Sequence, residues 1–104
     1  MKIQDLDFWV MRYQPPEGVT EREIYLWQAC LKLEMLKMVQ AFDLAENTAE
    51  EIADAIRIAE EDVESEKFDL RLASNIRQNL SIEDIDRAAR GEIMMLLEGV
   101  ATDD

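Results

Sequence analysis

The chain has 104 residues, of which 48% are hydrophobic, and a formal net charge of −13. That length fits one domain with a single core, and the apolar content excludes a chain disordered throughout. The lack of histidine and the single cysteine, Cys30, exclude Ser–His and Cys–His catalysis within the chain, an intrachain disulfide and an ordinary zinc site, while the excess of acid argues against direct binding to nucleic acid or anionic lipid.

The first predicted helix is short, from Gln4 to Tyr13, with Leu6, Trp9, Val10 and Tyr13 on one face and Pro15-Pro16 as its stop. A helix of that length is marginal alone and must dock on the rest of the chain. Trp9 and Trp27 are the largest core candidates.

The second predicted helix starts at Thr20, where Thr20 and Glu23 have the spacing of a capping box, and runs to Phe42 or Leu44. Ile24, Trp27, Leu31, Met35, Met38 and Phe42 make one apolar stripe. Tyr25, Ala29, Leu33 and Leu36 make a second, with Leu26 and Cys30 between them. Two stripes predict a helix wrapped on most sides, at the centre of the bundle. Cys30, inside that apolar stretch, is expected to be a buried, inert thiol.

The third predicted helix starts at Thr48, again with a capping-box partner, Glu51. Ile52, Ile56, Ala59 and Val63 form a narrow apolar stripe opposite a dense acidic face. The next stripe, Phe68, Leu72, Ile76 and Leu80, is out of phase with the first. That slip predicts a break near Ser65 and a fourth helix over 67–79, with a single long helix through residue 79 as the alternative. The last predicted helix starts at Ser81, buries Ile85, Ala88, Ala89, Ile93 and Leu96, tolerates Gly91 and stops at Gly99. The expected architecture is all-α, a bundle of four to five helices around the second. One domain covers residues 1–98 and an acidic tail covers 99–104.

The N-terminus carries Asp5 and Asp7 and lacks a signal-peptide pattern. Apolar runs such as Ile93 to Leu97 are far shorter than a membrane span. The expected location is cytoplasmic, with no membrane partner and no cofactor.

The acid is unevenly placed. From Asp43 to Asp69 there are eleven acids and two bases, a net of −9 that is most of the total. Between Glu50 and Glu66 an acid falls about every 3 Å of helix, close to the charge spacing along one DNA strand, about 3.4 Å. Glu50, Asp54, Glu60, Glu61 and Glu64 are therefore the candidate partner-binding ridge. Trp9, Met94 and Met95 are a candidate apolar interface, since aromatic and methionine side chains suit adaptable docking. The function expected from these features is non-enzymatic. It is a small acidic module that binds a protein partner, basic or itself nucleic-acid-binding, as an inhibitor or DNA mimic through the ridge, or as an adaptor or assembly chaperone, of the kind phages and mobile elements use, through the apolar patch. A second copy of the chain is another candidate partner. The alternative is a metal-dependent hydrolase with carboxylates of the third helix. Glu51 and Asp54 match half of the pattern used by helical nucleotide pyrophosphohydrolases, but the preceding helix offers only Glu34 as the other half, so no metal ligand is assigned.

Overall fold

The computed structural model describes residues 2–72 and 81–102, with side chains as far as Met95. Among these the chain is all-α. A 3-10 turn, Ile3–Asp5, leads into α1 (Leu6–Val10), followed by α2 (Glu21–Ala41), α3 (Ala49–Leu72) and α4 (Ile82–Thr102). The main packing contacts are α3 on α2, α4 on α2, and α1 on α2. The molecule measures 45 × 31 × 20 Å. Its thin dimension is about two helix diameters, so each outer helix keeps a face toward solvent.

α1 is shorter than expected. The predicted Gln4–Tyr13 helix resolves into the 3-10 turn, one and a half turns of α-helix, and a tight exit in which Arg12 N–H donates to Trp9 (3.1 Å) and Tyr13 N–H to Val10 (3.2 Å). Prolines at 15 and 16 force the chain ahead of them out of helical geometry. Leu6 and Val10 are buried, but Trp9 is 40% exposed, so it is not a core residue.

α2 begins as its residues dictate. Glu23 N–H donates to Thr20 Oγ1 (3.3 Å), and Thr20 N–H donates to Glu23 Oε1 (3.1 Å), which completes the capping box. Its nine buried residues, from Glu23 to Val39, point to all sides of the helix at about 100° per residue. α2 is thus the central element, and each large apolar side chain it buries contributes about 1.5–3 kcal/mol. Three members of the predicted stripes do not join the core: Ile24 is half-buried outside the core cluster, and Tyr25 and Phe42 are exposed, because Tyr25 donates its hydroxyl to Glu21 and Phe42 is already the C-cap. Val39 takes an unexpected core place. The helix closes with a Schellman motif. Leu44 N–H reaches back to Val39 (3.0 Å), Asp43 N–H to Gln40 (3.4 Å), and Asp43 occupies the left-handed region at φ 51°.

α3 corrects the largest sequence expectation. It passes through Ser65 without a break to Leu72. The predicted separate helix is therefore absent over 67–72, and Ile76 and Leu80 lie outside the described residues. Ile52, Ile56, Ala59, Val63 and Leu70 keep one helical phase, with Glu66 half-buried in line with them. Phe68 and Leu72 do not continue that stripe. They stand on the other side of the helix, and reading them as core produced the false slip.

α4 is capped by Ser81 Oγ, which accepts from Asp84 N–H (3.1 Å), and buries Ile85, Ala89 and Ile93. Leu96 lies beyond the described side chains. The helix runs past Gly99 to Thr102 rather than stopping there. A glycine ends a helix by turning left-handed, and the glycine with that backbone is Gly18 (φ 78°). No helix among the described residues is long and apolar enough to cross a membrane.

Candidate functional surface

α3 is a rod of 24 residues, about 36 Å long, fixed to the bundle along one stripe. Its position at the N-terminal end is set by Asn47, just before the helix. Asn47 Oδ1 accepts from Ile3 N–H (2.9 Å), and its Nδ2 donates to Glu51 Oε2 (2.8 Å) and Gln4 Oε1 (3.4 Å). Thr48 Oγ1 accepts from Glu51 N–H (3.2 Å). The N-terminal turn of the chain is thereby tied to the start of α3, and α1 is held beside it.

The predicted ridge residues Glu50, Asp54, Glu60, Glu61 and Glu64 are all exposed and all on the outward half of α3. Their charge is less naked than the composition suggests. Arg57 donates to Asp54 Oδ1 (2.7 Å) and to Glu61 Oε1 (3.0 Å), and these two carboxylates hold its guanidinium above its ordinary pKa. Lys67 stands 3.6 Å from Glu64. Glu51 and Asp54, the half-pattern of a hydrolase, are occupied by Asn47 and Arg57. Among the described residues no three acidic or thiol groups converge as a metal site would require.

Interleaved with the ridge are three large apolar side chains, Ile58, Phe68 and Leu72, which are 46%, 58% and 67% exposed. At about 100° per residue Phe68 and Leu72 lie opposite the core stripe, in the same sector as Asp54 and Glu61, while Ile58 stands on the flank facing α1. Their burial in this fold is too small to explain their presence. Off-phase spacing was the signal for them: Ile52, Ile56, Ala59, Val63 and Leu70 fill the inward positions, so Ile58, Phe68 and Leu72 must face out.

A second feature was not visible from the sequence. Along the seam where α2 and α3 meet on the α1 side, three open cavities follow one another. The first, about 330 Å³, lies among Ile3, Lys32, Leu36, Ala55 and Ile58. The next, about 340 Å³, shares Asp7, Lys32 and Asp62 with it and continues to Met11 and Ala29. The third, about 580 Å³, is lined by Glu21, Arg22, Tyr25, Glu66 and Asp69, one helical turn further on. Lys32 Nζ is paired with Asp7 (2.8 Å), and Arg22 Nη1 donates to the Asp69 carbonyl (3.4 Å). Glu66 is raised above the usual carboxylate range by burial first, then by Asp69 and Asp62, with Arg22 opposing.

The predicted apolar interface is exposed but divided between two elements. Trp9 lies on α1 beside Phe8, and the Arg12 guanidinium covers both rings at 4.6 and 4.5 Å. Met94 and Met95, 61% and 68% exposed, lie on α4. The Tyr13 phenol is raised by burial and by Glu92, so the exit of α1 faces α4 one turn before Met95. Met35 is core, as methionine filler usually is. Cys30 is buried, and burial pushes its thiol up to about 11, with Asp86 adding to the shift. It stays protonated and unreactive at neutral pH. Comparison of the chain with protein-family models, curated proteins and solved structures gives no match.

Proposed function

We propose that this chain is a non-catalytic protein-interaction module that grips a basic, partly apolar surface of another protein with the outward half of α3. The observation that carries this reading is that Phe68 and Leu72 stand opposite the core among carboxylates, with Ile58 exposed beside them on the flank facing α1. Apolar groups of that size in solvent contribute little to the fold, and they add binding energy when a partner removes them from water. The acids around them supply steering and register toward a basic partner. The same row weighs against phosphate mimicry. A groove built for DNA phosphates would have to desolvate its lysines and arginines against a leucine and a phenylalanine.

Changing Asp54, Glu61 and Glu64 to lysine together is expected to weaken capture of the partner from the source cells by roughly tenfold or more. The far-ultraviolet helical signal should stay unchanged, since all three are exposed. A second reading, an adaptor surface on α4, is favoured by the exposure of Met94 and Met95. It predicts the opposite pattern: capture survives the lysine changes and is lost in Met94→Glu/Met95→Glu. Capture that survives both sets overturns both readings.

A further inference from the structure

We propose that the seam between α2 and α3 on the α1 side seats one basic amphipathic helix of a partner protein, its apolar face on Ala29, Ala55 and Ile58 and its lysines or arginines toward Asp62, Glu66 and Asp69. This rests on the reading that α3 carries the binding surface, and it specifies which flank of α3 is used and by what.

The chemistry of the seam selects the occupant. Five acids line it, Asp7, Glu21, Asp62, Glu66 and Asp69, against two bases, Lys32 and Arg22. Lys32 is already engaged by Asp7, and Arg22 by the Asp69 carbonyl. Five acids against two bases leave the seam net negative, so cationic groups of a ligand relieve repulsion on arrival. The apolar part is shallow and built largely of small side chains. Ala29 and Ala55 are half-buried, and Ala59 closes the floor. Small residues at a helix–helix contact let a third helix approach closely. Exposed Met11 and Ile58 stand at the two rims.

Backbone chemistry selects helix over extended chain. Both walls and the floor are helices, whose main-chain groups are bonded within themselves. An extended segment would bury its own N–H and C=O groups with no strand edge to pair with. A helix arrives with those groups satisfied. From Ala55 to Asp69 the seam is about 21 Å long, the length of a helix of about 14 residues.

The probe is a designed leucine–lysine amphipathic peptide of about 18 residues, titrated into the nitrogen-15-labelled full chain. Amide shifts should concentrate at Asp7, Met11, Tyr25, Ala29, Asp62, Glu66 and Asp69. A peptide of equal composition, scrambled so that it has no apolar face, should bind roughly tenfold more weakly. Asp62→Asn/Glu66→Gln, which neutralises the seam without adding bulk, should weaken the probe by about tenfold. Glu83→Gln/Asp84→Asn, the same charge change at exposed acids in the first turn of α4, should alter it by less than about threefold. Equal losses in the two variants, or equal affinity for the scrambled peptide, would mean general attraction to acid and overturns the seam. Shifts confined to Glu50, Asp54, Glu61 and Glu64 also overturn the seam, yet leave α3 as the binding surface. Shifts that avoid α3 altogether, or no binding, overturn the proposal together with the reading beneath it.

Discussion

Trp27→Ala is expected to destabilise the fold by about 3–5 kcal/mol, about a fifth or more of the stability of a typical domain. Trp27 is 1% exposed and sits in the first half of α2, on a face buried in the core cluster. Truncation there opens a cavity that α1, α3 and α4 cannot all close, because each is already in contact with α2. Trp27→Phe should cost clearly less. The Trp27 indole N–H is buried with no hydrogen-bond partner among the described residues, so phenylalanine forfeits packing volume and no bond. Trp9→Ala provides the contrast, at well under half the cost of Trp27→Ala, since Trp9 is 40% exposed. Urea unfolding followed at 222 nm measures all three. A comparable loss for Trp9 and Trp27 would contradict the placement of α1 and α2.

The second large effect concerns the continuity of α3. Ser65→Pro should cost about 3 kcal/mol or more, because proline removes an N–H from the helical ladder and collides with the carbonyl four residues earlier. Ser65 is exposed and sixteen residues inside the helix start at Ala49, so the loss reports backbone alone and no core contact. Ser65→Ala, with the same exposure, should be neutral or stabilise by up to about 0.5 kcal/mol. A break at this position would tolerate proline with little loss. Thermal melts of the two variants therefore decide between one rod and two.

These particulars show what the sequence made legible. The starts of α2, α3 and α4 were readable because a capping hydroxyl binds a backbone N–H three residues on, an interaction local enough to be written in four letters. The central place of α2 was readable because it is apolar on all sides. The end of α2 was readable to within its C-cap, Phe42, but its Schellman turn was not, since it uses Asp43 where glycine is the usual sign. Periodicity did not decide the continuity of α3 between two helices and one. Periodicity assigns every apolar residue to a core, and Phe68 and Leu72 belong to none. The acidic ridge came directly from composition. Its partial neutralisation by Arg57 did not, and the seam could not, because it depends on the antiparallel register of α2 on α3 and on where α1 lies.

The central claim is that the apolar row on the outside of α3 exists for a partner and not for the fold. One variant tests it most directly: Ile58→Ser, Phe68→Ser and Leu72→Ser combined, compared with the unaltered chain for unfolding midpoint and for partner capture. The account predicts a change in stability within about 1 kcal/mol and loss of the partner. A variant that melts several kcal/mol lower, or one that is stable and still captures the partner, would contradict it.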